Sequence, residues 1–287
     1  MSAAPPGSTP TPDPTVTSPL RPKRRRGEFP LWLLVMALGG VMVLWLILSN
    51  ADYAEVMRVV ARGIWTSVWV TAVAFVLACV LGLIIVLART SRIYLVRQAA
   101  MVYIELIRGI PILIFLFYVA FVGTEWLVGA TNFAISPLTS MGWLEPLTIR
   151  DFDFTWRAIF ALTVCYAAFI AEIFRAGIEA VDRGQVEAAQ SLGLSRWRTF
   201  RFVVAPQALR TILPPLGNDL ISMIKDSALV SALGVQDITQ VGKVYAAGNF
   251  RYFETYTVIA FLYLTLTISL SLVVRLLERR LGKSAER

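Results

Sequence analysis

Gln185-Val186-Glu187-Ala188-Ala189-Gln190-Ser191-Leu192-Gly193, followed thirteen residues later by Pro206, lies between two long apolar runs of a 287-residue chain. Up to Leu192 these are good helix formers with Val186 the one β-branched residue, and Gly193 can take the left-handed conformation that ends a helix. Ser195 is placed to cap a second helix, Arg196 to Phe202, through its hydroxyl. The pattern predicts two short helices meeting at a sharp corner. Ala188 and Ala189 admit the close approach of another backbone, Glu187 offers a charge to a basic partner, and Arg196 and Trp197 are residue types that dominate interfaces. This is the composition of a docking element. An amphipathic helix resting on the membrane surface, with Trp197 among headgroups, has the same periodicity.

The setting is a membrane. Hydrophobic residues make up 57% of the chain and charged residues 16%, with a mean hydropathy of +0.66; soluble domains average about 25% charged. Six apolar stretches are long enough for spans of ~20 residues: Phe29–Leu48, Gly63–Ala88, Ala99–Gly123, Trp156–Phe174, Pro206–Ser231 and Thr255–Val274. The expected architecture is all-α and integral to the membrane, with five spans in one domain (57–283, its cytoplasmic corner at about 183–202) behind one extra N-terminal transmembrane helix (29–49). Residues 1–28 hold seven of the fourteen prolines and read as a disordered cytoplasmic tail. The first apolar run exceeds the h-region of a secretory signal, which favours an uncleaved anchor.

The net charge of +8 follows topology. With the N-terminus inside and the spans alternating, 18 Lys/Arg fall inside and 6 outside, a bias that orients a membrane protein. Lys23-Arg24-Arg25-Arg26 is then a topology anchor, and nucleic acid is not an expected partner. Both termini are expected in the cytoplasm. Histidine is absent, and Cys79 and Cys165 lie in different spans; metal centre, disulfide framework and His-based catalysis are all disfavoured. Thr124–Thr155 mixes aromatics with acids and is expected outside, as a short helix lying on the outer leaflet or as a contact for a soluble partner.

The corner resembles the cytoplasmic motif of ABC importer permeases, in the branch that moves polar amino acids of the histidine, glutamine, glutamate and arginine type. Glu187, Ala188, Ala189, Gly193 and Pro206 fall in its register, with Val203 and Ala205 replacing the usual Ile and Leu. Ala171-Glu172-Ile173-Phe174-Arg175-Ala176-Gly177-Ile178 is similar to that branch's A-E-I-x-R-G-G-I. Lys225-Asp226-Ser227-Ala228-Leu229 is similar to K-D-T-S-L, and Glu105-Leu106-Ile107-Arg108-Gly109-Ile110-Pro111 to E-x-x-R-G-T-P. The resemblance covers about Met57 to Lys283. It implies a pair of permease subunits, identical or homologous, in a bacterial inner membrane, each docking its corner helix into a cytoplasmic ABC ATPase dimer while an extracytoplasmic protein delivers the amino acid. ATP hydrolysis would reside on that partner, with no cofactor on this chain: Gly282-Lys283-Ser284 ends like a phosphate-binding loop, but Leu277 stands where its first Gly is required.

Charges inside spans are costly and usually face a cavity or a partner. Glu172, Asn218, Asp219, Lys225 and Asp226 are the candidate substrate-pathway residues. Pro214 and Pro215 are expected to interrupt their span and free carbonyls beside Asn218 and Asp219, while Lys225 and Asp226 pair or gate. Glu105 and Arg108, three apart, can pair near the inner face. A self-compensated network that locks helices together fits the same charges. Two rival functions remain on sequence grounds: a membrane anchor or sensor whose loop recruits a regulatory partner, and a channel with no ATPase.

Overall fold

The computed structural model describes residues 31–283, and among these every regular element is helical. The tail expected over 1–28 lies outside the described residues, as do the first residues of the expected N-terminal span. The elements are α1 (Leu31–Ser49), α2 (Ala51–Val60), α3 (Gly63–Arg89), α4 (Tyr94–Gly109), α5 (Ile112–Tyr118), α6 (Thr124–Ser140), α7 (Phe154–Glu179), α8 (Arg183–Ser191), α9 (Arg196–Thr199), α10 (Ala205–Asp226), α11 (Ile238–Asn249) and α12 (Tyr252–Lys283). Residues up to Met42 form one unit and those from Val43 a second, which holds everything described below.

Four helical stretches are long and apolar enough to cross a bilayer: Ala51–Arg89, Ile112–Ser140, Phe154–Glu179 and Tyr252–Arg279. On α3, Val76, Val80, Ile84 and Leu87 are exposed along one face, a stripe that suits hydrocarbon far better than water. The opposite face is built of small residues. Ala74 and Ala78 are fully buried against Ala158, Ala161, Ala167 and Ala168 of α7, and a Cβ on Gly82 would stand 3.0 Å from Ile170 and 3.2 Å from the Ala167 carbonyl. Backbones that approach this closely gain dispersion where no hydrophobic drive exists between helices.

Two expectations give way here. The stretch Ala99–Gly123 is not one helix. Gly109 ends α4, and Ile110 (φ −102°, ψ 137°) is extended, because the ring of Pro111 disfavours helical backbone in the residue before it. Nor does the helix expected in Thr124–Thr155 stand alone as a short one. A π-helical turn over Val119–Gly123 carries α5 into α6, so the apolar stretch reaches Ser140. Asn132 then clips the returning chain to α6, accepting from Leu147 N and donating to Leu147 O, both at 2.8 Å.

At the end of the bundle where α3 begins, α2, α11 and α12 bury Val56, Val60, Ile238 and Val258 together. The backbone there is packed without slack: a Cβ on Gly63 would lie 2.4 Å from Ile238 N. Asp237, fully buried, caps α11 by accepting from Gln240 N at 2.8 Å, and takes a second hydrogen bond from the Tyr263 hydroxyl at 3.0 Å. Burial pushes its carboxyl above the usual carboxylate range, against the downward pull of those hydrogen bonds.

Candidate functional site: a corner helix and a two-faced rod

The corner is built by local rules. Asp182 caps α8, its carboxylate accepting from Gly184 N at 2.7 Å. At the other end Gly193 takes φ +82°. Its N–H bonds Gln190 O at 2.9 Å, and the N–H of Leu194 reaches back to Ala189 O at 3.2 Å, the paired arrangement that closes a helix on a left-handed residue. Ser195 then caps α9, accepting from Arg198 N at 3.4 Å.

The docking residues divide. Glu187, Ala188, Arg196 and Trp197 are exposed, Leu192 projects with 85% exposure, and Trp197 stacks on Phe200 with ring centroids 6.1 Å apart. Ala189 is buried against its own chain, so it supports the corner from beneath and offers no surface. Sequence gave both alanines the same role; the 100° step between neighbours separates them. Leu192 and Phe200 belong to the exposed patch and were missed, since apolar residues in a membrane protein draw no notice by composition.

Past the corner, the expected second helix over Arg196–Phe202 does not end. α9 passes through a π-helical turn, Phe200–Val204, directly into α10, so Pro206 lies inside a continuous helical run, just past the π turn, and contributes no N–H to its ladder. Gln207 ties this rod to α8, its amide donating to the Gln185 side chain at 2.6 Å.

Pro214 and Pro215 do not break α10 either: helix continues from Ala205 to Asp226. Each proline removes one N–H from the ladder, leaving the carbonyls four residues earlier, at Arg210 and Thr211, without an intrahelical donor. The candidate pathway residues instead sort by helix phase. Thr211, Pro215, Asn218, Ser222 and Lys225 fall within an arc of about 80°, all exposed except the half-buried Ser222. Asp219 and Asp226 lie on the adjoining face with buried Ala208, Ile212 and Met223. Asp226 accepts from the Tyr166 hydroxyl of α7 at 2.7 Å and does not pair with Lys225. Asp219 Oδ2 is buried with no described partner.

Glu172 is elsewhere. Near the α8 end of α7 it pairs with Arg89 of α3 and, at 2.9 Å, with Arg175, which also pairs with Glu179. It borders a cavity of about 320 Å³ that Arg108, Thr211 and Pro215 also line. Arg108 and Glu105 are both exposed and form no ion pair among the described residues. The site therefore has three features: an outward corner, a polar stripe on one helix, and a charge cluster that shares a cavity with Thr211 and Pro215 of that stripe.

Residues 82–283, with the corner and the rod inside them, match the family described as binding-protein-dependent transport system inner membrane components. The chain belongs to this family. Among its relatives is the glutamine transport system permease protein GlnP of Escherichia coli strain K12, 36% identical over 220 residues, which are 77% of this chain and 91% of that protein. The L-cystine transport system permease protein TcyL of Bacillus subtilis strain 168 is 33% identical over 221 residues, covering 77% and 86%. A crystal structure of an amino acid ABC transporter with histidines superposes with a TM-score of 0.66 at 35% identity, over 82% of this chain and 98% of that one. The inward-facing MetNI methionine transporter, at 21% identity and a TM-score of 0.58, shares the fold.

Proposed function

We propose that this chain is the permease subunit of an ATP-driven importer of polar amino acids in a bacterial inner membrane, with both termini cytoplasmic. The observation that carries the reading is the exposed face of α10. Thr211, Pro215, Asn218, Ser222 and Lys225 present no large apolar side chain over about 21 Å of α10, most of the thickness of a bilayer's core. Lipid does not tolerate such a face; a water-filled passage or a second subunit does. A second permease chain, identical or homologous, completes the passage, with Asn218 and Lys225 lining it and Asp219 and Asp226 supporting it from behind. Glu172 holds α3 to α7 at the inner end.

The corner of α8 and α9 is the contact for a cytoplasmic ABC ATPase dimer. Glu187, Ala188, Arg196 and Trp197 form its surface, Ala189 and Gly193 hold its shape, and Pro206 lies in the rod that leaves it. An extracytoplasmic binding protein supplies the amino acid. The five-span domain thus extends over about 57–283, and the helix at 29–49 is an added anchor. The names of the relatives support the substrate class, and hydrolysis resides on the partner.

The test is copurification followed by reconstitution. The chain should bring down a nucleotide-binding subunit, and liposomes holding both should show ATP hydrolysis stimulated by binding protein loaded with a polar amino acid. Uptake of a labelled panel then assigns the substrate. A purified chain that associates with no ATPase, or liposomes whose hydrolysis ignores every amino acid, refutes the proposal.

A further inference from the structure

A second cavity, of about 380 Å³, opens at the other end of the bundle. It lies where α7 starts, whereas α8 follows the end of α7; the 26 residues of that helix separate them by about 39 Å. Its walls include Trp69 of α3, Trp156 of α7, the Asp153 cap and Gln236. Nothing in the transport reading uses it.

The geometry of the walls is specific. The two indoles meet edge to face, centroids 5.7 Å apart and planes at 83°, so they form two sides of a corner. Trp156 keeps 49% of its surface exposed. Asp153 Oδ1 accepts from Trp156 N at 2.9 Å, and its second oxygen takes no hydrogen bond from any described residue. The helix end contributes about +0.5 charge, which offsets only part of the carboxylate's own charge. Arg157 is held by backbone carbonyls, its guanidinium donating to Phe152 O at 2.9 Å and Ile149 O at 2.6 Å, and it lies over the ring of Phe154, another wall of the cavity.

Two perpendicular aromatic faces with one free carboxylate oxygen are the elements that recognise an organic cation. We infer that this cavity binds an alkylammonium or guanidinium group from the side of the membrane opposite the corner. The ammonium or side chain of a free cationic amino acid has this chemistry, and so has a lysine or arginine carried on the binding protein. Affinity for a free cation is expected to be weak, in the millimolar range of a single exposed cation site.

The experiment uses the full chain in lipid nanodiscs, without the ATPase, and ligand-observed saturation-transfer NMR with n-butylammonium and methylguanidinium. Both should give saturable signals, and neutral n-butanol should give none. Asp153→Asn keeps the helix cap, because Asn caps as well as Asp, but removes the charge and should weaken binding roughly fivefold. Trp156→Phe should weaken it by a smaller factor, and Trp69→Phe gives a second reading if either variant folds poorly. A cross-link between a photoreactive group at position 236 and purified binding protein, lost on Asp153→Asn, identifies the protein-borne cation; binding of arginine with no such cross-link identifies the free one. Absence of saturable binding by both probes, or equal binding by Asp153→Asn, overturns the inference. Because no ATPase is present, that result leaves the transport reading standing, and failure of transport leaves this one standing.

Discussion

Replacing Gly193 isolates the corner from everything else. A Cβ there would meet nothing within 4 Å, so the substitution acts through the backbone alone. At φ +82° a residue with a Cβ costs about 1–2 kcal/mol, more for β-branched Val and less for Asn. The two hydrogen bonds that close the corner, at 2.9 and 3.2 Å, contribute about 1 kcal/mol each. Val therefore cancels most of what holds the turn, and open forms should rise about tenfold or more. Hydrogen exchange at the Leu194 amide reads this directly, with Gly slowest, Asn next, then Ala, and Val fastest. Stimulated ATP hydrolysis in liposomes with the partner should fall in the same order, while membrane insertion and melting temperature stay unchanged. If Gly193→Val exchanges and couples as the native chain does, the left-handed corner is not what transmits the signal.

Three further outcomes follow from the packing. Gly63→Ala places a Cβ 2.4 Å from Ile238 N and 2.6 Å from Asp237 O, atoms that cannot swing aside; it should cost about 3 kcal/mol and lower the melting temperature in detergent, whereas Gly109→Ala, with nothing within 4 Å, should be neutral. Glu172→Gln removes the partner of both Arg89 and Arg175; a double-mutant cycle with Arg89→Met should return a coupling of about 1 kcal/mol, and zero coupling would mean that the pair is incidental. Asp237 carries a raised carboxyl, so its contribution to stability is fully present below the unfolded value of about 4 and is lost as pH rises through the higher folded value. Melting temperature should fall over that window in the native chain, and Asp237→Asn should flatten the slope.

Which features could be read in advance follows from where their causes lie. The Gly193 corner was legible because a positive φ is a property of one residue and its two neighbours. The break before Pro111 carried an equally local signal in Gly109-Ile110-Pro111, but an apolar window from Ala99 to Gly123 ran across it. The full length of the helix over Thr124–Ser140 was hidden by Gly129, Asn132 and Pro137, which weaken propensity, while the Asn132 clip to Leu147 is visible only in the structure. Pro214-Pro215 suggested a break because the lost donors are visible in sequence, whereas the contacts of α10 with α7 and α12 are not. The candidate pathway residues were found as a group but not sorted. Asn218 and Asp219 are neighbours in sequence and lie about 100° apart on the helix, and only surrounding helices decide which of those directions is inside.

The helical run from Arg196 through α9, the π turn and α10 is unbroken as far as Asp226. It is a lever about 45 Å long. Under the proposed coupling, a tilt imposed on the Trp197 end travels toward Asn218 and Lys225 along continuous helix, through the π turn and past Pro206, Pro214 and Pro215, where such a helix bends most easily. The π turn carries one surplus residue of winding, which gives the run a built-in place to absorb twist.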